Sequence, residues 1–182
     1  TSFRTMYPIH SFSIDLIDFS KKPVYSGGKK YHYVLNCLDN FSRFIWTRPL
    51  QHKTSVDVAE ATRGIFDLII SKYGRESLPK YILSDAGGEF DGHYIALLDE
   101  YGIGKTRTIG GTPSSNGMVE RSNGSLKMIM GRFKKMDETN FPNWYELLKK
   151  STHSYNIGLH SAIGMSPIKA IELTRANDLE QI

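Results

Sequence analysis

The sequence contains a single cysteine, Cys37, which excludes an intramolecular disulfide and any zinc site built on a cysteine pair. A chain of 182 residues needs no such staple, because it can bury roughly 70% of the surface that its unfolded form exposes. A reduced, intracellular compartment is therefore expected. No apolar run approaches the length of about 18 residues that a membrane-spanning helix requires. Internal repeats, low-complexity tracts and an internal linker are all lacking, and a single domain is expected. The opening Thr1-Ser-Phe-Arg-Thr-Met is neither a signal peptide nor a natural start, which leads us to expect a piece of a longer protein.

What is present suits a soluble globule: 40% hydrophobic and 12% aromatic residues are too many for a disordered chain. The net charge of +4 is mild, but it is unevenly spread. Residues 1–53 carry 8 basic and 3 acidic side chains, residues 54–120 carry 6 and 10, and residues 121–182 carry 9 and 6. An acidic middle between basic flanks is compatible with a cation-binding centre beside a polyanion-binding surface, and equally with ordinary solvated surface.

Phe12–Asp18 alternates apolar and polar residues and reads as a strand. Ser20–Lys30, with Pro23, Gly27, Gly28 and four lysines, reads as a surface loop or wide turn. Tyr31–Leu38 and Arg43–Leu50 read as two further strands separated by Asp39-Asn40, completing an antiparallel meander. Thr54 is placed to cap a helix in which Val56, Ala59, Phe66, Ile70 and Tyr73 recur at helical spacing and which ends at Gly74. Pro79–Ser84 reads as a short buried strand, His93–Tyr101 as a helix closed by Gly102, and Lys105–Ile109 as a fifth main strand. Gly110–Gly117 reads as a loop. Helices are expected from there to about Lys135, across Trp144–Asn156, and after Pro167. The order βββαβαβααα predicts a mixed sheet with helices packed on it.

Three carboxylates stand out. Phe12, Ile14 and Leu16 take one face of the first strand, so Asp15 takes the other with Ser13 and Ile17. A carboxylate in the middle of a central strand is costly unless it is paired or binds a metal. Asp85 directly follows the apolar strand Tyr81-Ile-Leu, among glycines that crowd between Gly87 and Gly117. Strand ends of this kind are where sites collect in α/β sheets. On a helical wheel, Glu120 shares a polar stripe with Asn116, Asn123, Gly124, Lys127, Gly131 and Lys134, while Met118, Ser122, Leu126, Ile129, Phe133 and Met136 form the opposite arc, read as the core face. Glu120 fits either a solvated face near a helix N-terminus or a metal ligand. Carboxylates from a central strand, a strand end and a helix can converge on hard divalent cations such as Mg²⁺.

These residues, with their neighbours, resemble the D,D-35-E catalytic core of retroviral and retrotransposon integrases. Phe12-Ser-Ile-Asp15 is similar to the aromatic-x-x-Asp of the family's first strand, and Leu38-Asp-Asn-Phe-Ser-Arg43 to its strand turn. Ser84-Asp-Ala-Gly-Gly-Glu-Phe90 resembles its D-x-G-x-E-F segment, and Pro113-Ser-Ser-Asn-Gly-Met-Val-Glu120 its flexible loop and catalytic helix. Tyr155-Asn156, His160 and Gly164-Met-Ser-Pro167 resemble the closing motif of gypsy-type and Maverick/Polinton integrases. Asp85 and Glu120 are separated by 34 residues rather than 35. Asp18 ends its strand and lacks an aromatic residue three positions earlier, so Asp15 takes the first place.

The resemblance implies a ribonuclease H-like α/β fold, a five-stranded mixed sheet with three antiparallel and two parallel strands and helices on both faces. It implies a catalytic and metal-binding triad of Asp15, Asp85 and Glu120 holding two Mg²⁺ or Mn²⁺ ions, with Asp15 and Asp85 binding or bridging both and Glu120 completing the second. The implied activity is 3′-end processing of element DNA followed by strand transfer into target DNA. Asn116, Asn123 and Lys127 match DNA-contacting positions, although Lys127 also fits plain solvated surface, and Gly124 replaces a lysine used by retroviral enzymes. Double-stranded DNA and a second core are the implied partners, with no membrane, and the nucleus is the implied compartment for a eukaryotic mobile element. Family members also carry an N-terminal His-His-Cys-Cys zinc module and a C-terminal DNA-binding domain. Neither is recognised here, so residues 1–182 are expected to be the core alone. Two rivals stay open, a ribonuclease H-like nuclease and a domesticated, non-catalytic interaction module.

The other conspicuous residues have structural readings. His153 and His160 lack any nearby cysteine and read as packing or capping residues. His93 reads as surface, Cys37 as inert core, Trp46 and Trp144 as core or interface anchors, and Glu89 as a residue without a metal role.

Overall fold

A computed structural model describes residues 7–107, 113–137, 139–140 and 143–172, with the side chains of 107 and 113–116 outside that set. Five strands form the main sheet: β1 (Ser11–Asp18), β4 (Tyr33–Asp39), β5 (Ile45–Leu50), β6 (Tyr81–Ser84) and β7 (Gly104–Arg107). Their order is β5-β4-β1-β6-β7, antiparallel across β5, β4 and β1 and parallel from β1 through β6 to β7. This is the mixed sheet the sequence predicts, with β1 at its centre. Thr108 and Ile109, assigned to the last strand from sequence, lie outside the described residues.

β1 is nearly all apolar or buried because helices cover both faces. On one side, Phe12 and Ile14 join Leu35, Cys37 and Ile82 against helix α1 (Ser55–Tyr73) and helix α2 (His93–Tyr101). On the other, Ile17, Val34 and Leu38 pack with Val119, Leu126, Trp144 and Leu147 from helix α3 (Pro113–Met136) and helix α4 (Trp144–Ile157). The strand alternation therefore sends Asp15 toward α3, as the period of two requires.

The helix ends follow their local chemistry. The Thr54 hydroxyl accepts from the Asp57 N–H at the start of α1, and the Gly74 N–H returns to Ile70 O at its end. Gly102 closes α2 in the left-handed conformation, with φ +67. Asn143 caps α4 by accepting from the N–H groups of Tyr145 and Glu146. Residues 167–172 are helical, and the continuation expected beyond them lies outside the described residues.

Four expectations are corrected. Ser20–Lys30 contains a two-stranded hairpin rather than only a loop, with β2 (Val24–Ser26) paired to β3 (Lys29–Tyr31). Gly27 and Gly28, both at positive φ, make its turn, which is where glycine replaces a strained residue. Pro113–Gly117 is helical rather than loop: proline is well placed at a first helical position, where its missing N–H has no partner to lose. The core face of α3 runs through Val119, Ser122, Leu126 and Met130, with Met118, Ile129 and Phe133 packed half-buried beside it, whereas Met136 is 79% exposed. Val56 is likewise exposed, since α1 is anchored through Val58, Thr62, Ile65, Phe66 and Ile69.

Candidate active site

Asp15 and Asp85 are matched by strand register. β1 and β6 run parallel, with Ser13 opposite Leu83 as the last paired residues, and each aspartate lies two positions further on. Asp85 is exposed just past the end of β6, where its Oδ1 accepts from the Gly87 N–H at 3.0 Å. α3 packs across β1, β4 and β6 and brings Glu120, also exposed, to the same region. Burial pushes the Asp15 carboxyl above the usual carboxylate range, and the negative charges of Asp85 and Glu120 add to the rise. The two other carboxylates predicted from sequence are thus each within electrostatic reach of Asp15.

Asp15 is also gripped by hydrogen bonds. Its Oδ1 accepts from the Leu16 N–H at 2.8 Å, and its Oδ2 accepts from Asn123 Nδ2 at 2.8 Å. Asn123 Oδ1 accepts in turn from Asn36 Nδ2 at 2.7 Å, which also donates to Ser122 Oγ at 2.7 Å. Asn36 is fully buried on β4, directly opposite Asp15. A chain of amides therefore ties the central aspartate to the helix that carries Glu120.

Asp18, the competing first carboxylate, is exposed; hydrogen bonds from the Ser20 side chain and then from the Ser20 N–H, the latter at 2.6 Å, hold its carboxyl below the usual range. It closes a turn. Lys53 lies 2.9 Å from the buried Glu89 carboxylate. That bond holds the Lys53 ammonium above its ordinary value, and the Asp85 charge contributes in the same direction. Glu89 thus anchors a cation at the rim of the acidic group.

The other predicted contacts are less convergent. Asn116 belongs to the first turns of α3, but its side chain lies outside the described residues. Asn123 is turned to Asp15 and Asn36. Lys127 is exposed and lines a groove of about 400 Å³ with Lys22 and Lys134, beside Phe19 and Trp144, whose rings stack at 4.7 Å. Cys37 is fully buried as expected, and His93 is exposed.

Among the described residues, no three His, Cys, Asp or Glu side chains are close enough to form a closed metal site. The donor chemistry nevertheless fits a hard cation. Asp15, Asp85 and Glu120 supply oxygens only, none of the three is in an ion pair among the described residues, and their mutual repulsion is what a divalent ion would relieve.

No protein-family model matches the chain. The Pol polyprotein of the gypsy transposon of Drosophila melanogaster is 26% identical over 166 residues, which are 90% of this chain and 15% of that protein. The Pol polyprotein of the TNT 1-94 transposon of Nicotiana tabacum is 28% identical over 131 residues, 71% of this chain and 9% of that protein. Among solved structures, the HTLV-2 integrase catalytic core domain in complex with magnesium superposes with a TM-score of 0.69 at 20% identity, covering 93% of this chain and 100% of that one. A chain of the simian T-cell lymphotropic virus intasome superposes at 0.73 and 20% identity, covering 93% of this chain and 56% of that one. The fold is that of an integrase catalytic core. It is ribonuclease H-like, as the motifs implied.

Within this fold, the motifs outside the acidic group are architectural. Asp39 is fully buried and accepts from the backbone of Ile9, Phe41 and Ser42 and from the Ser42 hydroxyl. Asn40 bonds to Ser13 Oγ and Ser11 Oγ. Asn156 pairs with both backbone groups of Ile45 at 2.9 Å, joining the end of α4 to the edge strand. Sequence reasoning missed Asn36 and Lys53. A lone amide within the apolar run Tyr33-Val-Leu-Asn-Cys-Leu was a legible signal for the first. Lys53 had none, because its role depends on where the chain beyond Leu50 comes to lie.

Proposed function

We propose that this domain is a DNA integrase core that carries out divalent-metal-dependent 3′-end processing and strand transfer. What supports the reading is the placement of Asp15 on the central strand with Asp85, at a neighbouring strand end, and Glu120, on α3, both within electrostatic reach of it, in a fold shared with integrase cores. Asp15, Asp85 and Glu120 would hold two Mg²⁺ or Mn²⁺ ions. When bound, such a pair supplies Lewis acidity to the attacking and leaving oxygens of an in-line phosphoryl displacement.

The chain's own residues hold and orient. Asn123 and the Leu16 N–H fix both Asp15 oxygens, so this ligand is positioned before substrate arrives. In the first reaction a water oxygen bonds to phosphorus and the 3′ oxygen leaves as the hydroxyl. In the second, that hydroxyl oxygen bonds to a target phosphorus and the target's own 3′ oxygen leaves. Neither step needs a protein nucleophile. Lys127, with Asn116 and Asn123, is proposed to face element DNA, and lysines of this kind contribute salt-dependent, sequence-independent affinity.

The curated relatives are far longer than this chain, so a dimer of cores, action in the nucleus, and any flanking zinc or DNA-binding modules belong to the proposal. The test supplies a recessed DNA 3′-OH, a target duplex and Mg²⁺ or Mn²⁺. Joined product supports an integrase. Hydrolysis without joining identifies a ribonuclease H-like nuclease instead. Absence of both, with no divalent-ion binding by calorimetry, identifies a non-catalytic module.

A further inference from the structure

A second pocket opens beside α3, between the β4–β5 turn and the segment that follows α4, with a volume of about 260 Å³. Among the described residues its lining holds two guanidiniums, Arg43 and Arg121, the imidazole of His160, the Tyr155 phenol and the hydroxyls of Ser125 and Ser161. Among the described residues, no Asp or Glu lines it. Arg43 is half-buried and, among the described residues, forms no ion pair. Its guanidinium instead contacts Met118 Sδ. Asp39 acts on it electrostatically, but the Asp39 oxygens already accept from Ile9, Phe41 and Ser42.

The three bases act on one another. Burial pushes the Arg43 guanidinium down from its ordinary value, and the Arg121 charge adds to that. Burial also lowers His160, with Arg43 and then Arg121 contributing. The His160 Nδ1 is buried without a hydrogen-bond partner among the described residues. Arg43 is held at φ +64, an unfavourable conformation for a residue with a Cβ, by its N–H bond to Asp39 O at 2.9 Å. Two guanidiniums brought together beside an imidazole, with no carboxylate among the described lining residues, repel one another, and arginine forks suit tetrahedral oxyanions.

We infer that this pocket binds a phosphate group, and that the phosphate is a backbone phosphodiester of a DNA strand. The phosphate chemistry stands on the pocket alone, whereas its DNA source rests on the function proposed above. That source is favoured by position. Arg121 adjoins Glu120 on α3, and Ser122 in the pocket wall accepts from Asn36, the same amide that supports Asn123 and, through it, Asp15. A strand whose scissile bond lies at the three carboxylates has α3 beside it, and the pocket offers a place for a neighbouring phosphate.

Two measurements on the 182-residue chain test this. In the first, inorganic phosphate is titrated while the His160 ring and the arginine side chains are followed by NMR. Saturable shifts in wild type, lost in Arg121→Ala, support the pocket. In the second, affinity for a short duplex is measured against salt for wild type, Arg121→Ala, Arg43→Met and the control Arg75→Ala, whose guanidinium lies instead over the Tyr101 ring. Each pocket variant is expected to bind several-fold more weakly, with a log–log salt slope shallower by about 0.9, while Arg75→Ala keeps the wild-type slope. Saturable phosphate shifts with unchanged slopes overturn the DNA source. No phosphate shift and no difference in slope overturn the pocket. If wild type fails to bind DNA while the phosphate result holds, the proposed function has failed and the pocket has not.

Discussion

Asn123 Nδ2 donates to Asp15 Oδ2 at 2.8 Å, joining the helix that carries Glu120 to the central strand of the sheet. The same asparagine accepts from the fully buried Asn36, so its amide orientation is set from behind. Asn123→Ala is expected to leave the fold intact and to weaken divalent-ion dependence by about 10–100-fold, the usual cost of removing a partner behind a metal ligand. A Mg²⁺ titration of DNA joining reads this directly. An unchanged Mg²⁺ midpoint would show that the contact does not serve the carboxylate.

Asp15 also makes the fold pH-sensitive. Its carboxyl is raised above the ordinary value of 3.8, first by burial and then by Asp85 and Glu120. The native state therefore holds the proton more tightly than the unfolded state, and this residue's contribution to stability falls as pH rises through that window. Asp15→Asn should be more stable than wild type at pH 7 without divalent ions, and the difference should close as pH falls below about 3.8. Denaturant unfolding at several pH values in EDTA measures it. Equal stability at pH 7 would contradict the account.

Trp144 seats the β2–β3 hairpin on the helical layer. Its ring stacks on Phe19 at 4.7 Å and its Nε1 donates to Lys22 O at 2.8 Å. Trp144→Ala should cost about 3–5 kcal/mol, a fall in Tm of roughly 10 °C for a domain of this size. Thermal unfolding followed by circular dichroism checks it.

Cys37 is fully buried, and burial pushes its thiol well above the ordinary range. It should resist alkylation in the native protein and react promptly once unfolded. Rapid native labelling would mean that β4 opens more readily than its packing implies.

The parts of this molecule legible in the sequence were those fixed by local chemistry. The alternation in Phe12–Asp18 placed Asp15 on the face it occupies, and Thr54, Gly74 and Gly102 marked helix ends found in the structure. The motif order foretold the fold and brought the three carboxylates together on paper. What escaped depends on tertiary context. The hairpin Val24–Tyr31 has a lysine-rich exterior that reads as loop, and it is held by Trp144, more than a hundred residues away. The buried stripe of α3 is selected by the strands and α4 packed against it, which take Val119 and Met130 and leave Met136 in solvent. Arg43 and Arg121 lie 78 positions apart, and nothing in their separate surroundings announces a shared pocket.

The most direct test of the central claim is a disintegration assay, in which a branched DNA substrate is resolved with Mn²⁺ by reverse strand transfer, comparing wild type with Glu120→Gln. The account predicts that wild type joins the DNA and that Glu120→Gln, folded and of equal stability, does not. Joining that survives in Glu120→Gln, or its absence in a wild type that binds Mn²⁺, would contradict the assignment of these carboxylates to DNA strand transfer.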